Sequence, residues 1–393
     1  MELKKFFPEI DPERRLALGC MRLPLNESGE ESDVDFDLCD KMVDRFMEAG
    51  FNYFDTARVY HRGVSEQMIK RCIADRYPRE SFVLTNKLSD SCFKTEEDIR
   101  PLFEDQLKVC GVPYFDFYLM HALHRETYDQ YQKTHAFEIA QELKAEGKIR
   151  HVGLSFHDDA DFLEQILNDH PEVEIVQIQF NYFDFDSPSI QSGKLYELCE
   201  KYDKPILVME PVRGGSLANV PPAAQAVFRR LWEKECEDDP LASEDEQPSP
   251  ASYALRFAAS FPQIAMVLSG MGNMEMIEEN IDTFTDFCPI DEDELEALET
   301  VKAHIEGQDI IQCTACHYCT AGCPQKISIP DLFSDYNNQK LFKTWNSNFY
   351  YDIHTGSGGR ASDCIKCGQC EIACPQKLPI RELLEKVADV FKN

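Results

Sequence analysis

Eight times between Leu16 and Ser269 the chain passes through a short run of β-branched, aromatic and aliphatic residues, with longer amphipathic stretches in between. The runs are Leu16–Cys20, Asn52–Asp55, Phe82–Lys87, Phe115–His121, His151–Ser155, Ile175–Phe180, Ile206–Glu210 and Ala265–Ser269. Helical patterns such as Leu38–Ala49 and Phe137–Glu146 are followed by Gly50 and Gly147, where a helix C-terminus favours a residue without a Cβ. Parallel strands need right-handed crossovers, so eight strand–helix units predict an α/β fold, a closed (β/α)8 TIM barrel. A doubly wound open sheet is the alternative, weakened because no glycine-rich phosphate fingerprint follows the first strand.

The last quarter of the chain obeys a different rule. Of 16 cysteines, eight are scattered and eight fall in two copies of one pattern. Cys313, Cys316, Cys319 and Cys323-Pro324 form the first copy, and Cys364, Cys367, Cys370 and Cys374-Pro375 the second. Both read C-x2-C-x2-C-x3-C-P, the spacing in which three thiolates wrap three corners of a [4Fe–4S] cube and the fourth ligand comes from the other run. One cluster is therefore expected on Cys313, Cys316, Cys319 and Cys374, the other on Cys364, Cys367, Cys370 and Cys323. Zinc needs only four ligands from paired C-x2-C elements and leaves this pattern unexplained. Gly307 marks the expected boundary between a barrel over residues 1–306 and a mainly helical two-cluster domain over 307–393. Between the runs Leu332, Phe333, Tyr336 and Leu341 predict an ordered, partly helical spacer. Gly356–Gly359 is read as a flexible turn and Ile380–Phe391 as a closing helix.

Charge narrows the partners. The formal net charge is −31, and all of it lies before Gly307. A polyanion repels phosphates, so neither nucleic acid nor an anionic membrane is an expected partner. Charged residues interrupt the first fifteen positions, and no run approaches the ~18–20 apolar residues of a membrane span. With cysteines in metal-binding rather than disulfide spacing, a reducing, cytoplasmic setting is expected. The acidic stretch Glu233–Pro250 is read as a surface loop or insert.

Four motifs follow one another in the barrel. Gly50-Phe-Asn-Tyr-Phe-Asp55-Thr-Ala-Arg-Val-Tyr60 precedes Ser65-Glu66; then come Leu84-Thr-Asn-Lys87, Phe117-Tyr-Leu-Met-His121 and Glu146-Gly-Lys-Ile-Arg-His-Val-Gly-Leu-Ser155. In this order and spacing the chain resembles the aldo/keto reductase family. With the appended cysteines and Ser155-Phe-His157 it resembles that family's iron–sulfur-bearing branch. Asp55, Lys87 and His121 stand at the C-terminal ends of strands two to four, and Tyr60 on the loop after strand two. That is the catalytic face of a barrel. Carbonyl reduction needs a hydride at carbon and a proton at oxygen. The resemblance implies Tyr60 as general acid/base, Lys87 as the cation that lowers its pKa, Asp55 as the partner of Lys87, and His121 as a carbonyl-orienting donor. Taken singly, Asp55 could serve as a salt-bridge acid and His121 as a core histidine. His157 is read as packing.

The same resemblance places Ser155 and Gln177 at a nicotinamide carboxamide, Ser269, Gly270 and Asn273 at the adenosine phosphate end, and Glu279 and Asn280 near adenine. Met209 stands where the family stacks an aromatic ring. Between Ser269 and Asn280 there is no Lys or Arg to hold a 2′-phosphate, while Glu275, Glu278 and Glu279 would repel one, so NAD(H) is expected over NADP(H). The expected function is hydride transfer between a nicotinamide cofactor and a small carbonyl or alcohol substrate, with two [4Fe–4S] clusters for electron transfer or structure. Two alternatives stay open: an electron-transfer protein linked to a flavin or a redox partner protein, and a non-catalytic regulatory barrel.

Overall fold

The computed structural model describes residues 4–26, 29–187, 190–238, 247–285, 287–342, 346–356 and 358–392. Eight strands form: β1 Leu16–Gly19, β2 Tyr53–Asp55, β3 Val83–Leu88, β4 Phe115–Leu123, β5 Ile149–Phe156, β6 Ile175–Gln179, β7 Ile206–Met209 and β8 Ile264–Ser269. Each pairs in parallel with the next, and β1 pairs with β8, so the sheet closes into the expected barrel. Helix Phe36–Glu48 starts where the Asp35 carboxylate accepts from the Leu38 N–H, and beyond its end Gly50 adopts φ 85°. Gly147 does the same at φ 77°.

Inward-facing Ala17, Tyr53, Val83, Phe117, Leu119, Ile175 and Leu207 fill the barrel, and Phe7 and Ile10 of the N-terminal segment pack with them. Close approach decides one glycine. A Cβ on Gly153 would stand 2.5 Å from the Ile175 carbonyl oxygen and 2.8 Å from Leu119, so β5 can lie this near its neighbours only with hydrogen at that position.

By contact the chain divides into two compact units, Met1–Pro211 with Ser252–Ile290, and Val212–Ala251 with Asp291–Asn393. The second unit contains helix Pro222–Asp238, packed on helix Glu292–Glu306 and tied to it by Lys234 and Asp293 at 2.5 Å. The surface loop expected from Glu233 begins later than that, because Glu233–Asp238 holds good helix formers and no Gly or Pro. Residues 239–246 lie outside the described ones, and helix Pro250–Ala259 opens on proline, which tolerates the first helical position.

The cysteine segment is an internal repeat of two halves offset by 51 residues, a shift read directly from Cys313 and Cys364. Left-handed backbone recurs at matching places: Ala315 and Lys366, His317 and Gly368, Lys326 and Lys377. Each half then enters a helix at the same offset, Ile329–Phe342 in the first and Ile380–Val390 in the second. The spacer is helical, as expected, through Asn346–Thr355. Ile327, Leu332, Phe333, Tyr351, Leu384 and Phe391 share one apolar core, with the Tyr351 and Phe391 rings stacked at 4.2 Å. Within the expected Gly356–Gly359 turn, residue 357 lies outside the described ones, and Gly358 and Gly359 are packed rather than loose: Cβ atoms on them would stand 2.3 and 2.5 Å from the carbonyl oxygens of Lys326 and Gln325. Glycine lets this turn lie against the chain that follows Cys323. Among the described residues no helix is long and apolar enough to cross a membrane.

Candidate active site and cluster-binding cysteines

The strand order brings three motif residues to neighbouring strand ends. Asp55 ends β2, Lys87 lies near the end of β3, and His121 lies on β4, where the strand register slips between Met120 and Leu123. All three are buried, as is Tyr60. The Lys87 ammonium donates to Asp55 Oδ1 at 2.5 Å, to the Thr56 carbonyl at 3.0 Å and to the Tyr60 hydroxyl at 3.2 Å. The Tyr60 and His121 rings meet edge to face at 5.9 Å. Four side chains named separately in the sequence thus stand together.

Burial dominates their electrostatics. It raises Asp55 and lowers Lys87, and the opposite charge of each partner resists that change. At hydrogen-bond distance without competing water the pair is mutually stabilised as ions. Burial, with the Asp55 charge adding to it, holds the Tyr60 hydroxyl well above the ordinary tyrosine range. The sequence reading expected Lys87 to depress Tyr60. In the structure dehydration, with the Asp55 charge, outweighs that effect, while the Lys87 ammonium still donates to the hydroxyl. Tyr60 is a protonated acid at neutral pH. His121 falls well below the usual histidine range, through burial first and then Lys87, so its imidazole is neutral. Its Nδ1 lies 2.6 Å from the Ser89 hydroxyl. When Ser89 donates there, the ring proton sits on Nε2.

A buried network holds this corner rigid. Glu66, fully buried, accepts from Asn86 at 2.9 Å and Gln106 at 3.0 Å and pairs with Arg58 at 2.7 Å. Asn86 accepts the Lys87 N–H at 2.8 Å, and Gln106 donates to the Lys87 carbonyl at 3.1 Å. The Ser65-Glu66 and Asn86-Lys87 motifs are therefore two ends of one scaffold.

The expected cofactor residues line the other side of the barrel mouth. Ser155, Gln177, Met209 and Ser269 stand on β5, β6, β7 and β8, with Ser155 paired to Gln177. Gln177 Oε1 is buried without a hydrogen-bond partner, an acceptor suited to a carboxamide N–H. Asn280 donates to Ser269 at 3.0 Å, and Asn273 accepts the Met276 N–H at 2.9 Å. The loop through Gly270 thus leads into the N-terminus of helix Met274–Thr285, where phosphate is favoured. Glu279 is exposed on that helix. The residues present fit a nicotinamide dinucleotide.

Three features escaped the sequence reading. Arg22, after β1, and Glu210, after β7, form an ion pair at 3.1 Å, and both act electrostatically on Tyr60. Arg45 grips Glu278 at 2.8 Å, so a cation does stand beside the acidic helix. His61 follows Tyr60 in left-handed backbone at φ 48°. Its Nε2 accepts the Leu23 N–H at 3.0 Å and its Nδ1 donates to the Glu31 carbonyl at 2.7 Å, which fastens the β1 loop to the Tyr60 turn. Only positive φ on a non-glycine residue would have flagged it, and sequence does not display φ.

The cysteines gather in the crossed arrangement. One cavity is lined by Cys313, Cys316, Cys319 and Cys374, with Ile329, Pro330 and Phe333. The other is lined by Cys323, Cys364, Cys367 and Cys370, with Ile365 and Arg381. Burial raises Cys319, Cys370 and Cys374, so a thiolate there calls for a metal to take its charge. Four convergent thiols at each of two cavities fit two cubane clusters.

Comparison with known proteins bears on the family and the fold. The aldo/keto reductase family matches residues 15–303, and a 4Fe-4S dicluster domain matches residues 312–378. An uncharacterized oxidoreductase of Bacillus subtilis, YqkF, is 25% identical over 302 residues, covering 72% of this chain and 91% of its own. The holo form of an aldo-keto reductase from Bacillus halodurans superposes with a TM-score of 0.56 at 20% identity, over 73% of this chain and 91% of that one. An aldo-keto reductase from Klebsiella pneumoniae in complex with NADPH gives 0.57 at 18% identity, over 73% and 90%.

Proposed function

Because the chain belongs to the aldo/keto reductase family and carries a 4Fe-4S dicluster domain, we propose that it is an NAD(P)-dependent carbonyl reductase or alcohol dehydrogenase. The observation that carries the reading is the Lys87 ammonium shared between Asp55 and the Tyr60 hydroxyl. A nicotinamide, when bound, supplies or accepts the hydride. Tyr60 donates its proton to the carbonyl oxygen, and Lys87 at 3.2 Å stabilises the tyrosinate left behind. Asp55 keeps Lys87 charged through that step. Neutral His121 donates to the same oxygen and fixes its direction. Ser155, Gln177 and Met209 hold the nicotinamide end. Ser269, Gly270, Asn273, Glu279 and Asn280 take the adenosine end.

Between cofactors we favour NADH. Glu275 stands in the first turn of helix Met274–Thr285, and Glu278 on the same helix is paired with Arg45. The Klebsiella relative binds NADPH, so a direct comparison decides. Anaerobic protein would be assayed with simple aldehydes and each nicotinamide. Turnover is expected, with a lower KM for NADH, and Tyr60→Phe should lower kcat/KM by about 10²–10⁴-fold. A fully iron-loaded protein that turns over none of them would sink the reading.

The dicluster domain favours a second function beside this one, electron transfer through the clusters. A hydride carries two electrons and each cluster accepts one, so a flavin or a partner protein is the proposed divider. NADH with added flavin should bleach the cluster absorbance anaerobically. No bleaching with full iron present would leave the clusters a structural role.

A further inference from the structure

The two halves of the cysteine segment are equivalent in backbone but not in charge. Shifting by 51 residues maps Phe333 onto Leu384 and Pro330 onto Arg381, and all four line their respective cavities. A guanidinium therefore stands at the Cys364/Cys367/Cys370/Cys323 site where a proline ring stands at the other.

Its orientation is set by Glu371. Arg381 Nε donates to Glu371 Oε2 at 2.8 Å and Nη2 lies 2.7 Å from the same oxygen, while the Arg381 backbone N–H donates to Oε1 at 2.9 Å. That grip occupies one edge of the guanidinium. On the side of the cysteine loop, Cζ and Nη1 lie 3.9 and 4.0 Å from where a Cβ on Gly368 would be. Gly368 has φ 82° and follows Cys367 directly, and the absence of a side chain there lets the guanidinium lie alongside the cysteine loop. Cys367 is exposed where its counterpart Cys316 is half-buried, and Cys323 is half-buried where its counterpart Cys374 is buried, while Cys370 and Cys319 are both buried.

Adding an electron makes a cluster more negative. A cation, an N–H aimed at its sulfurs and access to water all stabilise that added charge and raise the reduction potential. We propose that Arg381, positioned by Glu371, makes the cluster at Cys364, Cys367, Cys370 and Cys323 the higher-potential member of the pair. That cluster is then where an electron comes to rest, and the apolar site is the one that is harder to reduce. The inference rests on the two-cluster reading of the cysteine runs. The first site has its own nearby cation, since buried Arg213 donates to Gln312, the residue before Cys313, at 2.8 Å. Lys377 also acts on Cys374, but neither Arg213 nor Lys377 lines the first cavity, whereas Arg381 lines the second, and that difference decides the order.

The experiment is an anaerobic redox titration of the full chain with dithionite and mediators, followed by electron paramagnetic resonance, with iron and sulfide counted in every sample. Cys316→Ser and Cys367→Ser assign each signal to its site. Two one-electron steps are expected, with the Cys367 cluster reduced first. Arg381→Met should lower that potential alone, and Arg381→Lys should restore most of it. A merely structural role would cost iron without moving the potential of the clusters that remain. Arg381→Met at full iron content with both potentials unmoved, or with only the Cys316 cluster shifted, overturns the proposal. Absence of iron and sulfide from the wild-type chain would instead overturn the two-cluster reading, and this inference with it.

Discussion

Lys87 has no exposed side-chain surface, and Asp55 has almost none. Such a pair is costly to break from one side, because the survivor keeps its dehydration penalty and loses its counter-charge. Lys87→Met should therefore destabilise the barrel by about 3–5 kcal/mol, whereas Lys87→Met with Asp55→Asn should recover much of that loss. Denaturant unfolding of the three variants measures it, and additive losses would show that the two charges do not depend on each other. The tetrad was legible in the sequence because its members sit in ordered local motifs at strand ends. Ser89 and the Arg22–Glu210 pair were not, since they matter only through neighbours brought near by folding. The burial that lifts Tyr60 was hidden for the same reason: a motif names a tyrosine and its lysine but says nothing of the water around them.

At the scale of elements, β5 shows how one strand serves both ends of the barrel. Ser155 stands toward its C-terminal end and His151 near its start, where Phe7 of the N-terminal segment packs on the imidazole at 4.5 Å. His151 lies 2.7 Å from Glu9 and 2.9 Å from Glu174. Burial disfavours the charged ring, but the two carboxylates outweigh it and raise His151 to about 9. Against an unfolded value near ~6.5, the raised folded pKa favours the native state fully below that value. The stabilisation is then lost as pH rises from ~6.5 through about 9, at most of order 3 kcal/mol. Wild type should thus lose more stability than His151→Gln between pH 6 and pH 9.5, measured by chemical denaturation at each pH. Equal losses would mean that Glu9 and Glu174 do not hold the proton. All eight strands were readable from apolar runs, four of them ending in motif residues, because parallel barrel strands are buried along their length. The joining of Val212–Ala251 with the cysteine segment was not readable. It depends on helix Pro222–Asp238 meeting helix Glu292–Glu306, a pairing between positions far apart in sequence whose apolar faces carry no label of their partner.

For the molecule as a whole, the crossed cysteines decide how the last quarter of the chain must be built. If each run held its own cluster, either half could assemble alone. Instead the cavity of the first run contains Cys374 of the second, and the cavity of the second contains Cys323 of the first. The glycine turn before the second run makes this possible by lying directly on the chain after Cys323. Each cluster would therefore close a loop between the halves, and the closed state would be favoured by the metal–thiolate bonds that only the folded segment can supply. About eight iron and eight sulfide per chain are expected, as the C-x2-C-x2-C-x3-C-P spacing requires of two cubes. Cys374→Ser is then predicted to damage the cluster whose other ligands are Cys313, Cys316 and Cys319, and to leave the Cys364, Cys367 and Cys370 cluster the better preserved. Iron and sulfide analysis with electron paramagnetic resonance of the reduced variant reads this directly. Should the Cys364 cluster vanish while the Cys313 cluster persists, the ligands run within each half and the crossed arrangement is wrong. If both vanish together, with the fold intact by circular dichroism, neither half holds its cluster without the other, and the segment assembles as one cooperative piece. The cavities favour the first outcome, because Cys374 lines only the site of the first run.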